Sequence, residues 1–181
     1  MNTEHHPSFT LSDGRIVTIR PVRPDDGARI QALVARLSPQ SSYFRFLEVV
    51  QRLSDKQLHE FTHLDYATRM AFVAVLPPTD LTAGEQQIIA VARYVRQPAI
   101  PGEPPRAEVG IVVEDAYQGQ GLGSRLLRHL TIYARRQGIQ AFTGTVHPTN
   151  ERILEIIKDT GLEFTRHYAE GAWEVTIYLV R

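Results

Sequence analysis

The chain of 181 residues contains no cysteine. That absence excludes a disulfide framework, a thiolate zinc site, an iron–sulfur cluster and catalysis through a cysteine nucleophile. No stretch approaches the ~18 consecutive apolar residues that a membrane-spanning helix needs. The N-terminal segment MNTEHHPSFT has no charged region followed by an apolar run, so it does not read as a secretion signal. An excess of one charge is missing too. Twenty Lys+Arg balance 20 Asp+Glu, which argues against a broad surface for nucleic acid or an anionic membrane. With 43% hydrophobic and 22% charged residues, the chain is too apolar for disorder and long enough to bury a core unaided. The expectation is a cytoplasmic α/β protein with residues 1–10 as a frayed polar tail and 11–181 as one domain.

Local patterns place the elements. Residues 14–22 (GRIVTIRPV) alternate as a first strand, and Pro24-Asp25-Asp26 opens a helix carrying Ile30, Leu33, Val34 and Leu37 at helical spacing. Tyr43 to Phe46 reads as a short ordered crossing. Ser54-Asp55-Lys56 caps a further helix through Leu58 and Phe61 to Leu64. MAFVAVL (70–76) is a buried strand and 87–95 a second, with Gly84 in the turn between them; the proline-rich stretch 97–106 is a loop. AEVGIVVED (107–115) is a third central strand. A strongly amphipathic helix spans about 121–137, with Leu122, Leu126, Leu130 and Tyr133 on one stripe. Strand 141–146, a helix over about 149–160, and strands around 164–168 and 173–180 complete the chain. Adjacent hairpin-like strands in the middle, followed by alternating strand and helix, predict one mixed sheet with helices on its faces.

The most informative segment lies between the third central strand and the long helix: Tyr117-Gln118-Gly119-Gln120-Gly121-Leu122-Gly123-Ser124. Glycines permit a tight turn and close backbone approach to a ligand, and the free N–H groups of a helix start seat phosphate oxygens. The glycine spacing fails the dinucleotide fingerprint, and with no lysine after the last glycine it fails the nucleoside-triphosphate loop. A purely structural strand–helix turn is the alternative.

Gln118, Gly121 and Gly123 match the Gln-x-x-Gly-x-Gly form of the pyrophosphate loop in the GNAT superfamily of acyl-CoA-dependent N-acetyltransferases, which the chain resembles from Ile16 to Leu179. The phrases LSPQSSYFRF (37–46), FTHLDY (61–66), MAFVAV (70–75) and AEVGIVVEDAYQGQGLG (107–123) resemble more closely the acetyltransferase domain of bacterial Pat-type protein lysine acetyltransferases. The resemblance implies a GNAT fold: a mixed, mostly antiparallel sheet with a splayed parallel strand pair and helices on both faces. It also implies acetyl-CoA as co-substrate, without a metal. Pantetheine would then contact Ile111, Val112 and Val113. Diphosphate would lie against Gln118, Gly119, Gln120, Gly121, Leu122, Gly123 and Ser124, with Arg125 a further candidate. Asn150 would bond pantetheine or simply cap its helix. Gly110, inside a β-branched strand, suits a bulge that creates the splay, or else plain tight packing.

The chemistry needs a base. A lysine amine in water has a pKa of ~10.4, so about one in a thousand is neutral at pH 7. By the same resemblance Glu108 is the general base, improved if its carboxylate is partly removed from water; a solvated strand residue paired with an arginine is the alternative. A backbone N–H near Val112 would meet the oxyanion. Many family members have a tyrosine acid seven residues after the asparagine; here that position is Ile157, leaving Tyr133 and Tyr168 as substitutes. Tyr43, Phe44 and Phe46 would line the acceptor groove or pack in the core. A rival signal, His59-Glu60-Phe61-Thr62-His63, spells the zinc-protease helix motif, but Tyr66 and Arg69 stand where its extended form needs Gly and His. His5-His6 in the tail carries no reading. The expected function is acetyl transfer to an amine, a protein lysine first and a small amine second, by a monomer or homodimer. A non-catalytic acyl-CoA-binding module remains the other reading.

Overall fold

The computed structural model describes residues 7–79 and 85–180. The expected turn at Gly84 and the histidines at positions 5 and 6 lie outside them. Eight strands form one sheet: β1 (Ser8–Thr10), β2 (Ile16–Pro21), β3 (Arg69–Leu76), β4 (Gln87–Arg96), β5 (Arg106–Val113), β6 (Ala141–Val146), β7 (Phe164–Ala169) and β8 (Ala172–Tyr178), in the order β1-β2-β3-β4-β5-β6-β8-β7. Every neighbouring pair is antiparallel except β5 and β6. The mixed sheet expected from the element order is therefore present. Order begins earlier in the chain than expected, because Ser8, Phe9 and Thr10 already pair with Thr18, Val17 and Ile16.

Five α-helices among the described residues cover the faces: α1 (Gly27–Arg36), α2 (Pro39–Phe46), α3 (Asp55–Thr62), α4 (Leu122–Arg136) and α5 (Glu151–Asp159). The segment read as a crossing at 43–46 is the second half of α2. Its start has a physical cause: the Ser38 hydroxyl accepts from the Ser41 N–H, and Pro39 occupies the first turn, where no N–H is needed. One core lies between the sheet and α1–α3, built on Leu33, Val34, Leu53, Val73 and Ile88. The other lies under α4 and α5, where Leu122, Leu126, Leu127 and Leu130 are each at most 1% exposed. Each such leucine contributes about 1.5–3 kcal/mol of burial. The start of α1 is tied to β2 by a buried pair in which Arg20 donates to both carboxylate oxygens of Asp26, at 2.6 and 2.8 Å. Burial pushes the Asp26 carboxyl up, but Arg20, the Arg23 N–H and Arg29 outweigh it and hold it below the usual range.

What positions the site is the parallel seam. β5 and β6 pair only at Arg106↔Ala141, Ala107↔Phe142 and Glu108↔Thr143, while β5 stays paired to β4 as far as Val113. Beyond Glu108 the two strands separate. Gly110 makes no bulge: the β4–β5 register runs unbroken through Arg93↔Gly110, and the sheet's irregularity falls instead at Ala74/Val75 on β3. Tight packing is the reading the structure supports, since a Cβ at Gly110 would lie 2.9 Å from the Arg45 guanidinium carbon.

Candidate active site

The separating strands open a cleft of about 800 Å³, walled by Val109 to Val113 of β5 and Gly144 to Val146 of β6. Its apex is narrow, because a Cβ at Gly144 would sit 3.4 Å from the Val109 carbonyl oxygen. Alternation along β5 decides which main-chain groups face the gap. The Glu114 N–H donates to Ile89 of β4 and the Arg106 carbonyl accepts from Gln97, so even-numbered residues turn toward β4. The Pro105 carbonyl accepts from Gln140 just before β6, so odd-numbered residues turn toward β6. Of the three residues expected to offer backbone contacts, Ile111 and Val113 therefore face the gap and Val112 does not; its N–H belongs to the β4 ladder. The Val113 carbonyl is already taken by the Gln118 side-chain amide at 2.8 Å.

At the wide end the cleft meets α4. Gly119 and Gly121 have φ of +76° and +74°, the left-handed region that glycine adopts without cost. Gly121 is the N-cap of α4 and no side chain caps the helix, so the N–H groups of Leu122, Gly123 and Ser124 have no partner within the helix and point at the cleft they line. Positive helix-end potential and open donors together make an anion seat.

The other loop residues are placed differently from one another. Gln118 is a brace: its amide donates to Ser41 on α2 at 3.0 Å as well as to Val113, and its oxygen accepts from Arg152 on α5. Gln120 does not line the cleft; its side-chain oxygen accepts from the Ser12 N–H and hydroxyl at 3.1 and 2.9 Å, anchoring the β1–β2 turn. Gly123 permits helix packing, since a Cβ there would meet Ile156 at 2.6 Å. The Ser124 hydroxyl donates to Asp159 at 2.9 Å, joining α4 to α5. Arg125 lies over the Phe9 ring, 4.7 Å from its centroid. Asn150 caps α5, accepting from the Ile153 N–H at 3.4 Å, and also lines the cleft.

Glu108 stands at the apex, exposed, and makes no ion pair among the described residues. The removal from water expected of a base is not found there. Its surroundings are basic: Arg45 from α2 and Arg93 from β4 both feel its charge. Ile157, on the buried side of α5, is 2% exposed and lines the cleft. Neither substitute tyrosine is near, because Tyr133 donates to the Tyr66 carbonyl at 2.7 Å and Tyr168 stacks edge-on with Trp173. Phe44 and Phe46 line the cleft, and Tyr43 and Phe44 hold His147 between them with centroids at 5.5 and 5.7 Å. His59 and His63 stack on each other at 3.8 Å, and no group of three His, Cys, Asp or Glu among the described residues is placed to hold a metal.

Arg45, Arg152, Gly144 and the Ser38–Ser41–Asp115 network escaped the sequence reading. Asp115 accepts from the Ser38 N–H and hydroxyl and the Ser41 hydroxyl, at 2.9, 2.7 and 2.7 Å. The Ser38-Pro39 helix start was the one signal available for it.

The sheet thus opens at its one parallel seam, beside a helix start that no side chain caps. Residues 42–161 match the Acetyltransferase (GNAT) family, so the chain belongs to that family and is an acetyltransferase. It is 37% identical over 147 residues to Acetyltransferase PA5475 of Pseudomonas aeruginosa, covering 81% of this chain and 75% of that protein. It is 31% identical over 148 residues to Acetyltransferase Pat of Mycolicibacterium smegmatis, covering 82% of this chain but only 41% of that protein. Among solved structures, the GNAT domain of S. lividans PAT superposes with a TM-score of 0.82 at 31% identity, covering 98% of this chain and 99% of that one. YncA of Salmonella typhimurium, solved with acetyl-CoA, shares the fold at 18% identity and a TM-score of 0.65, over 90% of this chain and 91% of that one. No helix among the described residues is long and apolar enough to cross a membrane.

Proposed function

We propose that the protein transfers the acetyl group of acetyl-CoA to the side-chain amine of a protein lysine by direct attack in a ternary complex, with Glu108 as general base. The observation that carries this is the continuity of the cleft. It runs from the open N–H groups of Leu122, Gly123 and Ser124, past the gap-facing main-chain groups of Ile111 and the gap-facing N–H of Val113, to the carboxylate of Glu108. A diphosphate fits the first of these, an amide-bearing arm the second, and an amine the third.

The residues toward the co-substrate divide accordingly. Gly119 and Gly121 shape the loop, Leu122 to Ser124 bind through their backbone, and Gln118, Asn150 and Arg152 hold the surrounding elements together. The Ile111 N–H, facing the gap two residues nearer the apex than Val113, is the donor for the oxyanion in place of Val112. Glu108 is exposed and so takes the amine proton directly or through a water and returns it to solvent. The protein acceptor is favoured over a polyamine or aminoglycoside by charge: Arg45 and Arg93 flank Glu108, and a small polycation gains nothing there. The kinship with Pat-type domains points the same way.

The test is release of free CoA on incubation with acetyl-CoA and protein acceptors, with acetyl-lysine located by mass spectrometry. Glu108→Gln should lower kcat/KM by about a hundredfold or more while CoA affinity stays unchanged. Activity retained at every pH would remove Glu108 from the role. Tight CoA binding with no turnover on any amine would make the chain a binding module.

A further inference from the structure

Attack of an amine on a thioester forms a C–N bond and breaks a C–S bond, leaving the electron pair on sulfur. None of the groups assigned to the site meets that charge, since Ile157 has no proton to give and Tyr133 and Tyr168 are elsewhere.

One cation stands where it could. Arg45, in the last turn of α2, reaches onto β5 and lies against Gly110: its guanidinium carbon and two nitrogens are 2.9, 3.0 and 3.2 Å from where a Cβ would be. Any side chain at Gly110 would displace it. Arg45 lines the cleft, and among the described residues it has no carboxylate within ion-pair distance and no hydrogen-bond acceptor. The charged groups around it come from every neighbouring element. Glu108 on β5 attracts it and Arg93 on β4, directly opposite Gly110, repels it; Arg93 in turn is repelled by Arg69 on β3, is attracted by Glu108 and by Glu60 on α3, and rests 4.2 Å over the Phe61 ring. Burial pushes the Arg45 guanidinium down to about 10 and Arg93 adds to the effect, so it is still a cation at neutral pH. With Glu108 attracting it only from beyond ion-pair distance and the Phe46 ring 5.1 Å away as its other support, the guanidinium in the cleft wall has N–H groups open to an anionic ligand.

The cleft determines what arrives there. An arm anchored at the start of α4 and lying between β5 and β6 can advance only until the strands rejoin at Val109 and Gly144. Its reacting end therefore stops beside Gly110.

We propose that Arg45 is a catalytic residue: its guanidinium donates N–H hydrogen bonds to the coenzyme sulfur as the C–S bond breaks, so that CoA departs as the thiolate and no acid is needed at position 157. Arg45 keeps its own protons. The amine proton passes to Glu108 and then to water, and the products are the amide, the CoA thiolate and one proton. This rests on the acetyl-CoA reading under Proposed function.

The experiment needs no acceptor. The thiolate absorbance of CoA bound to the whole protein is titrated in wild type, Arg45→Met and Arg45→Lys. In wild type the bound thiol should titrate about one unit or more below free CoA. Arg45→Met should bring it back to the free value or above, because Glu108 then acts on it with less opposition; Arg45→Lys should retain part of the shift. CoA affinity within about threefold of wild type shows that the variants are folded. In turnover, Arg45→Met should lower kcat about ten- to a hundredfold with the acetyl-CoA KM unchanged. A bound thiol that titrates like free CoA in wild type, or equally low in Arg45→Met, overturns the proposal. So does a rise in acceptor KM with kcat intact, which would assign Arg45 to an anionic group on the acceptor. Failure of wild type to bind CoA at all would sink the acetyl-CoA reading and this one together, whereas binding with an unshifted thiol sinks this one alone.

Discussion

Gly110 and Arg45 make one unit out of two positions that are far apart in sequence. The glycine was conspicuous within Ala107 to Val113 because a β-rich strand gains little from it, yet the cause sits on another element and is invisible from position 110. The loop's glycines and the helix start behind them were legible because their signal is local, glycines ahead of an amphipathic helix. Glu108 was singled out by resemblance, and Gln120 of the same loop lies outside the cleft. Arg45 was not legible, since nothing in YFRF distinguishes an arginine that points into a cleft from one in solvent. Gly110→Ala separates the two causes. Alanine suits a strand better than glycine, and the obstacle it meets is the end of a flexible side chain. Stability should therefore change by less than about 1 kcal/mol in thermal unfolding. Activity should fall as far as in Arg45→Met, because the guanidinium is pushed off the strand. Wild-type kcat in Gly110→Ala would show that the position of Arg45 does not matter.

The helix α2 is short, and its sequence PQSSYFRF carries no apolar stripe, which is why it read as a crossing. Phe44, Arg45, Phe46 and, just past the helix end, Leu47 all line the opening, and of these Phe46 also packs against the core beside α1–α3. A polar anchor adds to that packing. Asp115, between β5 and the glycine loop, takes three hydrogen bonds from Ser38 and Ser41 at the start of α2, and Gln118 adds another to Ser41. Burial pushes the Asp115 carboxyl up, but those donors outweigh it and hold it below the usual range. A folded-state pKa below the unfolded one means that this anchor stabilises above about pH 4, the unfolded value, and is lost as pH falls through the folded value. Asp115→Ala should cost about 1–3 kcal/mol at pH 7, lowering Tm by about 2–4 °C per kcal/mol. It should also weaken CoA binding, because the loop and α2 lose their shared support. Denaturation from pH 7 down to pH 3 checks the direction: the gap between wild type and variant should close toward the acid end. A gap independent of pH would mean that the carboxylate charge plays no part.

Across the whole molecule the sheet is two blocks, β1 to β5 and β6-β8-β7, joined at one seam of three residue pairs. A mixed sheet could be inferred from the order of hairpins and strand–helix units. Where the seam lets go could not, because Ile111, Val112 and Val113 are all apolar and sequence does not say which of them turns its backbone to a partner strand. The register does, and it divides them. Val112 hydrogen-bonds within the β4–β5 ladder whether or not the cleft is filled, whereas the N–H groups of Ile111 and Val113 face the gap. Hydrogen exchange resolved to single amides should find Val112 protected in the free protein and Ile111 and Val113 exchanging much faster. Acetyl-CoA should slow exchange at Ile111 and Val113 and leave Val112 nearly unchanged, since only the first two face the gap. On the binding proposed above the ligand would touch both blocks, so at a hundred times Kd it should add about 2.7 kcal/mol to stability, raising Tm by roughly 5–11 °C for a domain of this size. Equal protection of all three amides in the free protein would mean that β5 and β6 close together in solution, and an arm would then have no gap to enter.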